Sequence, residues 1–102
     1  MNALQRLVGQ EVVDGEANEG TIGLVLSEAV LAAYNPTSGA TPSECVGATI
    51  THILLMEKDS FTLSLSNGKT LRISLRDIDY SGPEAFSVRF KDGTIVVEQQ
   101  AL

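Results

Sequence analysis

The sequence is poor in the residues that carry most catalytic and metal chemistry. Its 102 residues include one cysteine, one histidine and no tryptophan. A lone cysteine cannot form an internal disulfide, which predicts a reducing compartment such as the cytoplasm. Cys45 and His52 lie seven residues apart on what reads as one strand, about 20 Å, too far for a nucleophile–base pair. We interpret Cys45 as structural and His52 as a histidine at the edge of the core, and we expect no enzyme activity and no cofactor.

Long apolar runs are also missing. The longest, 53–56 and 29–34, are far shorter than the roughly 20 residues of a membrane-spanning helix. The first twelve residues have neither the basic start nor the apolar stretch of a secretion signal. The sequence therefore predicts a cytoplasmic protein that does not bind a membrane.

Basic residues are scarce in the first part of the chain. Residues 1–45 carry six acids and one base, whereas residues 46–102 carry seven acids and six bases. Affinity for nucleic acid comes from Lys and Arg that neutralise phosphates, so we expect no nucleic-acid partner. The acidic first half is either a solvated surface or a face complementary to a basic protein partner.

What is present is a strong β pattern within a single domain, residues 1–102. Apolar and polar residues alternate over 61–65, 71–75 and 86–90, which is typical of half-buried antiparallel strands. The continuous apolar run Ile53–Met56 predicts a strand covered on both faces. Before this region, residues 2–8 have helical spacing and predict a short N-terminal helix that ends at Gly9.

Two turns can be predicted from the pairing they impose. A two-residue type I′ turn at Asp92-Gly93 would pair Phe90 with Ile95 and Val88 with Val97, so that all four face the core. The same turn at Asn67-Gly68 would put an apolar residue opposite a polar one. We therefore predict a three-residue loop, 66–68, with a bulged glycine, which pairs Leu63 with Leu71 and Phe61 with Ile73.

The stretch "LSEAVLAAYNP" (26–36) has helical propensity but resembles a later hairpin. When 22–34 is aligned with 61–73, Leu-Ser falls on Leu-Ser, and Val8-Gly9 matches Val46-Gly47 upstream. We predict strands at 26–36, because the alternation at 22–26 and the similarity outweigh a propensity below about 1 kcal/mol per residue. Residues 35–44, rich in Pro, Ser, Thr and Gly, would be a linker.

These elements predict a mainly β fold of about eight strands. We expect a small antiparallel sandwich or partly open barrel. It would contain two strand-turn-strand repeats, about 8–36 and 46–75, and a C-terminal hairpin, 85–98.

Four segments carry a resemblance: "YNP" (34–36), "SLSNGKTLRISL" (64–75), "RDIDYSGPEAF" (76–86) and "DGTIVVE" (92–98). Together they resemble small bacterial β-rich proteins of uncharacterised function, some of them similar to immunity proteins encoded beside secreted toxins. The resemblance covers Val8 to Glu98 and rests on turn and core residues, so it implies no catalytic motif. The all-β pattern, the uneven acidity and the lack of catalytic motifs predict a non-enzymatic module that binds another protein. The resemblance alone implies the most concrete form of this function, an immunity-type inhibitor of a toxin.

The densest polar stretch, 76–86, supplies the candidate contact residues Asp77, Asp79, Tyr80 and Glu84. The three carboxylates would suit a hard cation, and an aromatic residue on an ordered loop is a frequent contact residue. The alternative function is thus a small-molecule or metal-binding domain that uses the loop 76–84. The loop is equally interpreted as a fixed connection with turn residues. A homo-oligomer formed through an exposed edge strand is a third hypothesis.

Overall fold

The computed structural model describes residues 3–100, which form nine strands and a few short helical turns. A 3₁₀ turn, Ala3–Leu7, precedes the first strand. The strands are β1 (Val12–Asn18), β2 (Thr21–Leu26), β3 (Ala29–Ala33), β4 (Thr37–Gly39), β5 (Ile50–Met56), β6 (Ser60–Leu65), β7 (Thr70–Ser74), β8 (Glu84–Phe90) and β9 (Ile95–Gln99). A helical turn, α1 (Pro42–Cys45), lies between β4 and β5, and a second 3₁₀ turn, Asp77–Asp79, lies between β7 and β8.

The strands form two antiparallel sheets packed as a small sandwich, as the alternation predicts. One sheet has the order β1-β2-β3-β8-β9 and the other β4-β7-β6-β5, and in the described residues they do not close into a barrel. Phe61 of β6 stacks on Phe86 of β8 across the two sheets, with ring centroids 4.7 Å apart. Both rings are fully buried, so the alternating apolar residues of each sheet meet in one core.

The stretch 26–36 contains the end of β2, a two-residue loop and β3, and it forms no helix. Leu24 of β2 pairs with Leu31 of β3, and both are fully buried. The predicted alignment put Ala32, not Leu31, at the position of Leu71, and this register is wrong by one residue. The loop here is only two residues, Ser27 and Glu28, so β3 starts one residue earlier than the alignment assumed.

The two predicted turns have different outcomes. The loop 66–68 is confirmed: Leu63 pairs with Leu71, Phe61 pairs with Ile73, and Gly68 has a positive φ of 85°. The type I′ turn at Asp92-Gly93 is wrong, because only the glycine has a positive φ.

The loop after β8 is a three-residue loop of the same kind as 66–68. The Asp92 carboxylate accepts a hydrogen bond from the Thr94 amide at 2.9 Å, as Asn67 does from Lys69 at 3.0 Å. The pairing therefore shifts: Arg89 lies opposite Ile95 and Val88 opposite Val96. Ile95 and Val97 point out of the molecule, not into the core.

The predicted linker 35–44 carries structure of its own, which corrects that interpretation. Its strand β4 pairs with β7, and Gly39 has a φ of 88° at a point where a Cβ would lie 2.2 Å from the Thr70 carbonyl oxygen. Its turn α1 has a complete capping box between Thr41 and Glu44.

Strand β5 is an edge strand and is not covered on both faces. Ile53 and Leu55 are half-buried, whereas His52, Leu54 and Met56 are exposed on the other side. The expectation that His52 lies at the edge of the core is therefore wrong. Its Nδ1 lies 3.2 Å from the Thr51 hydroxyl.

The two predicted repeats, 8–36 and 46–75, contact each other through equivalent backbone hydrogen bonds at Gly9 and Gly47. The Gly9 amide donates to the Ile50 carbonyl at 2.7 Å, and the Gly47 amide donates to the Val12 carbonyl at 2.8 Å. Both glycines have φ near 90°. This conformation favours glycine, because a Cβ is disfavoured there.

The Leu-Ser pairs shared by the two halves also have one structural role. The Ser27 hydroxyl accepts from the Glu11 amide at 3.2 Å, while the Ser27 amide donates to the Glu11 carbonyl at 3.0 Å. Ser66 makes the same two bonds to Thr49, at 2.9 and 2.8 Å. The interpretation of the halves as copies of one unit stays a prediction, but these contacts explain why each half has a serine here.

Candidate functional site

The four residues predicted on the loop 76–84 do not converge on one point. Asp79 accepts a hydrogen bond from the Ser74 hydroxyl at 2.5 Å and so fixes the end of β7. Glu84 starts β8, opposite Gln99, and lines a cavity of about 270 Å³ beside Tyr34. Among residues 3–100, no three histidine, cysteine, aspartate or glutamate side chains are arranged to hold a metal ion.

Tyr80 and Asp77 line a different cavity of about 220 Å³, together with Lys58 and Glu98. Burial raises the pKa of the Tyr80 hydroxyl, and the negative charges of Glu98 and Asp77 raise it further. Burial also raises the pKa of Glu98, with a smaller contribution from Glu57. The cavity is acidic, and the Tyr80 hydroxyl stays protonated at neutral pH.

Cys45 is buried and held in a hydrogen bond. Its Sγ donates to the Thr41 carbonyl at 3.3 Å. Burial raises the pKa of its thiol, and the neighbouring Glu44 carboxylate raises it further. A thiol with a raised pKa is a poor nucleophile, so its environment suits a structural role.

The surface that the sequence analysis missed is the outer side of the five-stranded sheet. Val30 is 48% exposed and Ile95 is 56% exposed, both within regular strands. We use the term apolar face for the five exposed large apolar side chains on this side: Val25, Val30, Tyr34, Ile95 and Val97. The half-buried Ala32 and Ser87 lie between them, and the Tyr34 hydroxyl lies 3.5 Å from the Ser87 hydroxyl.

Strand pairing places these side chains in rows across the sheet. One row runs Asp14, Val25, Val30, Arg89, Ile95, because each is paired with the next. The adjacent row runs Glu16, Gly23, Ala32, Ser87, Val97. Directly opposite residues in antiparallel strands share a face, so both acids lie on the same side as the valines. Glu16 reaches across its neighbour: its Cγ lies 3.8 Å from where a Cβ of Gly23 would be.

The charges on this side have no ionic partners within the described chain. Residues 3–100 contain three ion pairs: Arg6–Asp92, Lys69–Glu44 and Arg72–Asp59. Asp14 and Glu16 on β1, and Arg89 in the middle of the apolar face, belong to none of them. A cavity of about 300 Å³ opens beside Arg89, between Val25 and Val30.

The outer side of the four-stranded sheet is different. Its central strands β6 and β7 expose or half-expose only Thr62, Ser64, Thr70, Arg72 and Ser74. Among the described residues, large apolar side chains are exposed on this side only at the edge strand β5, by Leu54 and Met56. A polar surface such as that of β6 and β7 is solvated without penalty, whereas large contiguous exposed apolar patches mark interaction surfaces. The apolar face is therefore the candidate functional site.

No helix in residues 3–100 is both long enough and apolar enough to cross a membrane. Comparison of the chain with protein-family models, with curated proteins and with solved structures finds no match in any of the three.

Proposed function

We propose that the protein is a non-enzymatic binding module that contacts another protein through the apolar face. The observation that carries this proposal is the contrast between the central strands of the two sheets: Val25 and Val30 are solvent-exposed in one sheet, whereas the central strands β6 and β7 of the other expose hydroxyl residues and Arg72. The exposed Leu54 and Met56 lie only on its edge strand β5. Burial of apolar surface is worth roughly 25 cal/mol per Å², so the face offers a driving force for association. Side chains on regular strands, several of them β-branched valines with few rotamers, also lose little conformational entropy on binding.

The charge beside the apolar face favours a basic partner. Asp14 and Glu16 flank the valines and are exposed, and residues 7–57 contain no lysine or arginine. A partner that sets basic side chains against this flank and an acid against Arg89, within an otherwise apolar surface, would neutralise all three charges. Complementary charge of this kind speeds encounter and fixes orientation.

The most concrete form of the proposal is an immunity-type inhibitor of a toxin. It is supported by the resemblance of residues 64–75 and 76–86 to immunity-like proteins, together with a surface suited to a protein partner. The test identifies the genes next to the one for this protein and co-expresses the chain with each toxin domain found among them, scored by survival and co-purification. We expect protection from wild type, loss of protection from Val30→Lys, and protection from Thr70→Lys, its counterpart on the other sheet.

The outcome of that experiment is decisive for the immunity role. Absence of both protection and co-purification with the neighbouring toxin would contradict it. Equal protection by Val30→Lys and wild type would show that binding occurs elsewhere on the molecule. Circular dichroism of both variants establishes that they are folded.

A second candidate function uses the loop 76–84 to bind a small molecule. The observation that favours it is the cavity beside Tyr80, where the carboxylates of Asp77 and Glu98 face a phenol hydroxyl. This lining suits a small organic cation or a metal ion that keeps its water ligands. Calorimetric titration with divalent cations and a metabolite panel tests it, with Tyr80→Phe as the matched variant. The absence of heat with every compound would remove this candidate.

A further inference from the structure

We infer that, when no other partner is bound, a second copy of the chain covers the apolar face, and that the two copies pack sheet to sheet about a two-fold axis parallel to β3. The inference rests on the proposed function, because it concerns the same surface. It names the molecule that covers the apolar face, a second copy of the chain. It also gives a way to regulate the binding of other proteins to this face. Two copies joined in this way withhold the face from other proteins.

The order of strands makes the surface complementary to itself. The sheet runs β1-β2-β3-β8-β9, so β3 is its central strand. A two-fold axis parallel to β3 and midway between the copies places β1 of each over β9 of the other, and β2 over β8. Val25 on β2 then faces Arg89 of the second copy, and Asp14 on β1 lies one strand away from that arginine.

Arg89 makes a second copy of the chain a better partner for the apolar face than an uncharged apolar surface would be. It lies between Val30 and Ile95, so any protein that covers the face must also cover its guanidinium. A buried charge without a partner is strongly unfavourable. Within its own chain Asp14 is three strands away, about 14 Å, too far for an ion pair. Across the two-fold axis, the Asp14–Arg89 pair forms twice.

The size of the surface predicts a weak dimer. Five strands at about 4.8 Å and five residues at about 3.3 Å give a face of roughly 24 by 17 Å. Two such faces bury roughly 800 Å², below the range of about 1,200–2,000 Å² for stable complexes. We therefore expect association at concentrations of about 10–100 µM, readily displaced by a partner that binds more tightly.

Sedimentation equilibrium of the full chain between about 1 and 500 µM tests the inference. We expect a reversible monomer–dimer equilibrium, weakened at least about tenfold by Val30→Lys and unchanged by Thr70→Lys. Arg89→Glu sets like charges against Asp14 and should also weaken the dimer at least about tenfold. The double variant Asp14→Arg/Arg89→Glu reverses both charges and should recover most of the association.

A wild-type chain that stays monomeric throughout this range overturns the inference. A dimer that persists in both Val30→Lys and Arg89→Glu overturns it as well, because a different surface must then be involved. Association that Arg89→Glu weakens and the double variant does not restore contradicts the two-fold arrangement. Circular dichroism of each variant separates these outcomes from loss of fold.

The failure of this inference and that of the proposed function are distinguishable. A monomeric wild type whose toxin protection is lost in Val30→Lys leaves the proposed function intact and removes only the second copy. A dimer broken by Val30→Lys, in a chain that protects against no neighbouring toxin, supports the second copy and removes the immunity role.

Discussion

The two hairpins at the centre of this molecule are built alike on the inside and differently on the outside. Leu24 and Leu31 pair across one hairpin as Leu63 and Leu71 pair across the other, and all four are fully buried. The residues next to them, on the side away from the core, are Val25 and Val30 in the first hairpin. In the second they are Ser64 and Thr70.

This difference shows that the core side and the solvent side of a sheet restrict the choice of side chain in different ways. Side chains inside a sandwich must fill space at the density of a crystal, so both hairpins present leucines there. On the outer side of a sheet, packing within the chain does not require apolar side chains. The polar residues Ser64 and Thr70 are therefore sufficient there. Val25 and Val30 at the equivalent positions are 41% and 48% exposed, so a large part of each side chain lies outside the core. The proposed contact with another molecule would account for them.

The largest expected effect on stability tests whether the buried leucines of the two hairpins contribute equally to the core. Leu31→Ala and Leu71→Ala each remove a fully buried side chain, and we expect each to lower the free energy of unfolding by about 3 kcal/mol. Urea denaturation followed by circular dichroism measures both. A difference above about 2 kcal/mol between the variants would contradict the view that the two hairpins are equivalent inside.

A smaller effect tests the two serines. Ser27→Ala and Ser66→Ala each leave a backbone amide, of Glu11 or Thr49, without its hydroxyl acceptor. We expect each variant to lose about 1 kcal/mol, again by urea denaturation. A loss of stability in only one of the two variants would show that the equivalent hydrogen bonds of Ser27 and Ser66 contribute different free energies.

The pH dependence of stability distinguishes α1 from the N-terminal 3₁₀ turn, Ala3–Leu7. The pKa of Glu44 in α1 is lowered from 4.5 to about 2, mainly by the hydrogen bond from the Thr41 amide and then by Lys69. A lowered pKa contributes stability that is fully present above pH 4.5 and is lost as the pH falls toward about 2. The turn Ala3–Leu7 has no acid in its first turn and lacks such a contribution.

We therefore expect Glu44→Gln to flatten the fall in unfolding midpoint between pH 4.5 and about 2. The size is modest, because the carboxylate is solvent-exposed and salt screens it. Glu28→Gln, an exposed acid in the loop between β2 and β3, is the control. An unchanged pH profile in Glu44→Gln would show that the cap does not depend on the charge.

The smallest expected effect on stability comes from exchanging the outer faces. The variant Val25→Ser/Val30→Thr gives the first hairpin the exterior of the second, and we expect its stability to change by less than about 0.5 kcal/mol. Its self-association should disappear in sedimentation equilibrium. The reverse exchange, Ser64→Val/Thr70→Val, should create a new tendency to associate. A stability loss near that of Leu31→Ala would mean that the valines serve the fold after all.

Much of the fold can be predicted from the sequence, because the alternation of apolar and polar residues directly indicates half-buried strands. The strand at 26–36 follows from the alternation at 22–26 despite its alanines, since packing overrides a weak local propensity. The linker 35–44 is harder, because three residues of β4 are too few to show a period. The capping box of Thr41 and Glu44 is visible in the sequence, but the Pro- and Gly-rich composition around it favours a loop.

The candidate site is missed for a related reason. Asp-Gly occurs both in two-residue type I′ turns and at the end of three-residue bulged loops, and the choice shifts the pairing by one residue. The assumption that apolar side chains lie in the core then places Ile95 and Val97 inside, although both are exposed. Of the contact residues predicted on the loop 76–84, Asp77 and Tyr80 line one cavity and Glu84 lines another, because neighbouring side chains on a short loop point in different directions.

The interleaving of the sheets bears on how the chain reaches its folded state. β3 is followed by β4, which belongs to the opposite sheet, and its own neighbour β8 comes only after β7. Until residues 84–90 arrive, one edge of β3 stays unpaired, and the first three strands form an open sheet with Val25 and Val30 already on its surface. Contacts this distant in sequence slow folding, and unpaired edges invite aggregation. The early chain is thus most vulnerable at the surface that we propose as the binding face.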